Sequence, residues 1–79
     1  MLTGEQIRAA RGLARLDQAQ LAQLSELSLP TIKRLEKAVG PIGANVSTES
    51  AIRRAFDGVG VIFIDENGEG PGVRLRKAR

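Results

Sequence analysis

The stretch Gln18-Ala-Gln-Leu-Ala-Gln-Leu-Ser-Glu-Leu-Ser-Leu-Pro-Thr-Ile-Lys-Arg-Leu-Glu36 decides how the rest of the chain is read. It holds two short helical patterns with a break between them. Asp17 stands before the first, with Gln20 at the third helical position, a pairing that satisfies free N–H groups of a first turn. Leu21, Ala22 and Leu24 form its apolar side. Ser25-Glu26-Leu27-Ser28 reads as a turn. Ser28 then caps a second short helix, spanning 28–38, with Pro30 in its first turn, where a missing N–H costs little. Ile32, Leu35 and Val39 continue an apolar stripe, while Lys33, Arg34 and Lys37 point elsewhere.

Upstream, Thr3 and Gln6 make a capping box for a helix ending near Ala14-Arg15, with Ile7, Ala10 and Ala14 on one face. Downstream, Gly40-Pro41-Ile42-Gly43 cannot continue a helix. Ser47 is expected to cap a further helix with Ile52, Ala55, Phe56 and Val59 on its buried face. The pattern changes at Val59-Gly60. Val61-Ile62-Phe63-Ile64 has high β propensity, Asp65 to Gly72 is rich in turn formers, and Val73-Arg74-Leu75-Arg76 alternates with period two. The expected fold class is mainly α, a four- to five-helix bundle with a C-terminal β-hairpin. Residues 1–59 form the helical domain, and residues 60–79 form the hairpin with a frayed basic end at Lys77-Ala78-Arg79.

Composition narrows the function. Cysteine, histidine, tryptophan and tyrosine are absent. A Ser–His–Asp triad, a thiol nucleophile and an ordinary zinc site are therefore out of reach, and the protein is not expected to be an enzyme. Twelve Lys and Arg against nine Asp and Glu leave a net charge of +3, a modest leaning toward polyanions. The first residues carry no apolar signal region and no run of about 18 apolar residues follows, so a cytoplasmic protein is expected. At 79 residues no room remains for an effector domain beside the helices.

Gln18, Ala22, Leu27, Ser28, Ile32, Leu35 and Glu36, together with Arg11 in the first helix, stand in the register of a known pattern. Over residues 3–57 the chain resembles the XRE-type (Cro/repressor-like) helix-turn-helix regulators. The resemblance implies a lambda-repressor-like bundle and sequence-specific binding of double-stranded DNA as a transcriptional regulator, read through the major groove by the helix at 28–38. It implies that Arg11 pairs with Glu36. It places Gln18 on a phosphate, Ser28, Leu29, Pro30 and Thr31 at the base-facing tip, Lys33 and Arg34 just behind, and Asn45, Ser47 and Thr48 near the sugar–phosphate backbone. Arg34 is the best base reader, because a guanidinium pairs bidentately with guanine. Leu29 and Pro30 offer only apolar contact. The family often has glycine where this chain has Arg15 and Glu26, positions that favour positive φ.

The tail invites other readings, all weaker. The glycines between Gly68 and Gly72 have no helix after them to hold a phosphate. Asp65, Asn67 and Glu69 imitate half a calcium loop, but Arg76 stands where its closing glutamate belongs. No metal and no cofactor are expected. The apolar hairpin leads to an expected homodimer with Val61, Phe63, Val73 and Leu75 in its interface, the alternative being a flap that packs only on its own helices. The rival reading of the whole chain is a protein-binding module, an antitoxin or antiactivator that masks a partner with this scaffold and its C-terminal strands. A small enzyme is the remoter rival.

Overall fold

The computed structural model describes residues 1–77, so Ala78 and Arg79 of the expected frayed end lie outside the described residues. Four helices and a two-stranded antiparallel sheet follow one another: α1 (Gly4–Ala14), α2 (Gln18–Ser25), α3 (Leu29–Glu36), α4 (Val46–Gly58), β1 (Val61–Ile64) and β2 (Gly72–Leu75). The fold is mainly helical, and no described helix is long and apolar enough to cross a membrane.

Each helix starts where a short polar side chain meets a free N–H of the first turn. Thr3 with Gln6 and Asp17 with Gln20 form complete capping boxes, and Ser28 accepts from the Thr31 N–H. At α4 the cap is Asn45, not the expected Ser47. The Asn45 Oδ1 accepts from the Thr48 N–H at 2.8 Å and from the Ser47 hydroxyl at 3.1 Å, so both downstream groups converge on the asparagine. Asn ranks with Ser as a cap, and starting here lengthens the helix.

The core joins all four helices to the hairpin. Leu2, Ile7, Ala10, Leu21, Ile32, Leu35, Ile52, Ala55, Phe56 and Val61 are buried together, with Phe63 and Val73 packed against them. Three apolar side chains expected inside stand outside. Leu24 is exposed because Ser25 takes the inward place one turn after Leu21, its Oγ donating to the Leu21 carbonyl at 2.7 Å. Val39 is exposed because α3 stops at Glu36 and the chain turns to run beside residues 2–4. There Gly4 N–H donates to the Gly40 carbonyl, Ile42 N–H donates to the Leu2 carbonyl, and Thr3 bridges Pro41. Val59 follows the last turn of α4 and is partly open to water.

That crossing explains Gly4. A Cβ on this residue would lie 2.1 Å from the Ala38 carbonyl oxygen, so α1 approaches the end of α3 only because residue 4 has no side chain.

The register pairs Val61 with Leu75, Ile62 with Arg74, Phe63 with Val73 and Ile64 with Gly72. Directly opposed residues share a face, so Val61, Phe63, Val73 and Leu75 lie on one side and Ile62, Ile64 and Arg74 on the other. The first set faces the protein's own helices. Val61 is 2% exposed, and the Phe63 ring meets the Phe56 ring edge-on at 5.5 Å. Val61 is buried in the intramolecular core, and Phe63 and Val73 are partly buried against it. Only Leu75 of the four is exposed.

Surface groups hold the hairpin in place. Arg76 pairs with Asp57, Arg53 bridges Glu49 and Asp65 while lying over the Phe63 ring, and the buried Gln6 amide donates to the Ile64 and Gly72 carbonyls. The Arg53 guanidinium holds the Asp65 carboxyl below the usual aspartate value.

Candidate nucleic-acid interface

Helix α3 has two unlike sides. Ile32, Leu35 and Glu36 are buried against α1 and α2, and Pro30, Lys33, Arg34 and Lys37 are exposed. Among the described residues none of Lys33, Arg34, Lys37 and Arg15 forms an ion pair with an acid. The outer side of α3 is therefore a row of free cations, uncovered by the rest of the described chain.

What fixes this side outward is a buried ionic network beneath it. Glu36 is 4% exposed. Its carboxylate accepts from Arg11 Nε at 2.6 Å and Arg11 Nη2 at 3.0 Å, a two-pronged contact, and from Gln18 Nε2 at 3.2 Å. Arg11 also donates to the Leu16 carbonyl at 3.0 Å, and Arg8 donates to the Glu36 carbonyl. The Glu36 hydrogen bond holds the Arg11 guanidinium above the ordinary arginine value, so it stays charged. No buried side-chain nitrogen or oxygen among the described residues lacks a partner. The network therefore ties α1, α2 and α3 together without stranding a charge.

The tip of α3 is short of donors. The Ser28 hydroxyl donates to the Thr31 hydroxyl at 2.8 Å and accepts from the Thr31 N–H, so the two side chains are occupied with each other. Pro30 has no N–H, and Leu29 is partly buried. The hydrogen-bonding capacity of this side lies further along, at Lys33, Arg34 and Lys37.

The helix junctions bear on the same surface. Arg15 has φ +58° and Glu26 φ +61°, so both end their helices in the left-handed region without being glycine. In each case the residue's N–H still reaches back to the helix carbonyls.

The proposed site residues thus separate into groups. Lys33 and Arg34 share the outer side of α3, with Ser28, Leu29, Pro30 and Thr31 at its beginning. Gln18 is turned toward Glu36 and joins the network below. Asn45, Ser47 and Thr48 are engaged in capping α4. Sequence reasoning missed Arg8 and Gly4. Arg8 lies one turn before Arg11 on the side of α1 that meets α3, a spacing visible in the sequence. Gly4 gives no such signal, since a glycine in a first helical turn is unremarkable until its neighbour is known. Neither the family models nor the curated proteins compared with this chain contain a match to it.

Proposed function

We propose that this protein binds double-stranded DNA sequence-specifically as a small transcriptional regulator of helix-turn-helix type, presenting the outer side of α3 to the major groove. The observation that carries the reading is that side itself: Lys33, Arg34 and Lys37 are exposed and free of acids while the opposite side of the same helix is buried. A helix held this way can enter a groove without rearranging. Cations along it release counterions from phosphates, and a guanidinium such as that of Arg34 can pair bidentately with a guanine edge. The α1–α2–α3 ionic network supports the reading because it fixes the helix against a rigid base, as positioning a reading helix requires.

On this reading Gln18 is chiefly a positioning residue, with its second amide hydrogen left for a phosphate. Arg15 and Lys37 join the backbone contacts by charge and exposure.

The test is a selection of bound fragments from random DNA, followed by a salt titration of the best fragment. Affinity is expected to fall steeply as salt rises. Arg34→Ala is expected to cost about 1–3 kcal/mol and to relax preference at one position of the site. Absence of DNA affinity even at low salt overturns the proposal and favours the masking of a protein partner instead.

A further inference from the structure

We propose that the outer side of α3 selects the C5-methyl group of a pyrimidine through the Pro30 ring, about two base pairs from the guanine edge taken by Arg34. The proposal deepens the DNA reading and rests on it. Pro30, Lys33, Arg34 and Lys37 are all exposed. They stand at i, i+3, i+4 and i+7, so they form one stripe along the helix. Three of its members are cations and the first is apolar. Arg34 lies one turn beyond Pro30, about 6 Å along the axis at about 1.5 Å per residue. Bases are spaced about 3.4 Å apart along a strand, so a helix laid in the groove sets the two side chains over base pairs about two steps apart.

The head of the stripe has little else to offer a base. Pro30 brings no N–H. The Ser28 hydroxyl is spent within the protein, donating to the Thr31 hydroxyl at 2.8 Å and accepting from the Thr31 N–H at 3.2 Å. Thr31 keeps one hydroxyl hydrogen, but at a half-buried position off the stripe, and Leu29 is half-buried too. The ring is also fixed in place. Its own φ is locked, and α3 is held from beneath by the contact of Arg11 with Glu36.

What such a ring recognises follows from the chemistry of the groove. Base edges there carry donors and acceptors and one apolar group, the C5-methyl of thymine. A ring pressed on that methyl removes apolar surface of both from water. Pressed on a purine N7 or on the amino group of cytosine, it strips water from a polar atom and returns no partner. The selection is thus attractive toward a methyl and repulsive toward the alternatives. The same group sits at C5 of 5-methylcytosine, so the shared chemistry is the methyl, whichever base bears it.

The experiment uses the full chain and the fragment selected from random DNA, the guanine being the position at which Arg34→Ala relaxes preference. Each thymine near it is replaced in turn by deoxyuracil, which removes the methyl alone. One such replacement is expected to weaken binding about fourfold, the worth of one buried methyl. At that position a cytosine pair is then compared with a 5-methylcytosine pair. A gain on methylation assigns the contact to the methyl of either base, and no gain assigns it to thymine. Pro30→Ser, at an exposed first-turn site with no N–H to lose, is expected to bind the thymine and deoxyuracil duplexes alike. Lys37→Ala is expected to weaken both and keep their ratio. Tolerance of deoxyuracil at every such thymine overturns the proposal, as does a selected site with no thymine there, or a Pro30→Ser variant that still favours thymine. Each of these leaves the DNA reading standing, whereas no DNA affinity at all overturns both. Should Pro30→Ser fail to fold, the deoxyuracil series on the unaltered chain decides.

Discussion

Helix α3 and the two strands of the β1–β2 hairpin are built from the same number of residues, eight in the helix and four in each strand, and each buries one side in the shared core. What they leave outside differs. α3 leaves lysine and arginine, held outward by an ionic network beneath; the hairpin leaves half-buried isoleucines and an exposed leucine, clamped by ion pairs at the surface. The lesson is that burial alone does not characterise a surface. The remainder does: free cations suit a polyanion, whereas isoleucine and leucine side chains suit only apolar contact. The anchoring differs in kind too. The carboxylate under α3 is buried, so removing its arginine strands a charge, while the hairpin's clamps are more exposed and individually weak.

The sharpest way to break the comparison is at the base of α3. Gly4→Ala drives a methyl into the Ala38 carbonyl, so α1 and α3 must part. A loss of about 3 kcal/mol is expected in denaturant melts, as for other overpacked sites, and a neutral result would mean the contact is loose. Next, Glu36→Ala leaves Arg11 without its acid. The cost expected is about 2–3 kcal/mol, below the figure for fully buried pairs because Arg11 keeps a quarter of its surface in water. Glu36→Gln should cost less, since it keeps partners for Gln18 and part of Arg11.

Smaller effects sharpen the contrast. Glu26→Gly relieves a left-handed residue and is expected to stabilise by up to about 1 kcal/mol in thermal melts. A destabilisation would show that this φ is not strained here. Acid should touch the hairpin clamp. Asp65 is held below its ordinary value by Arg53, so its contribution is full above the unfolded value and drains as pH falls through the lower folded one. As pH falls below about 4 the hairpin amides should lose protection in wild type, and Asp65→Asn should flatten that dependence. Unchanged dependence in the variant would assign the acid loss elsewhere.

How much of this was legible in the sequence follows from how local each feature is. The capping boxes of α1 and α2, the Pro30 turn and the stripe Ile32–Leu35 depend on neighbours within one turn, and each is found where the spacing places it. The hairpin too follows from alternation and its turn-rich connection. The cap of α4 was misread by two residues because Asn45 and Ser47 are equally good caps and spacing does not rank them. Leu24 and Val39 were misread because an apolar residue near a helix end looks the same whether the helix goes on or stops. Which hairpin face meets the helices was not legible, because a two-sided apolar strand does not reveal which side its own helices will cover. For the candidate interface, the cations of α3 were visible as residue types, but the inward turn of Gln18 was not.

By itself, then, the sequence determined the elements and their polarity: where helices start, which side of α3 carries charge, and that enzyme chemistry based on histidine or cysteine is closed to the chain. Those are consequences of short-range periodicity and composition. Tertiary structure alone decided the use of each surplus side: that Gly4 must have no side chain, that Gln18 serves Glu36, and that β1 turns its aromatic face inward. The physical reason is that these depend on which surfaces meet across long separations in the chain, and packing chooses among sides that the local pattern leaves equivalent.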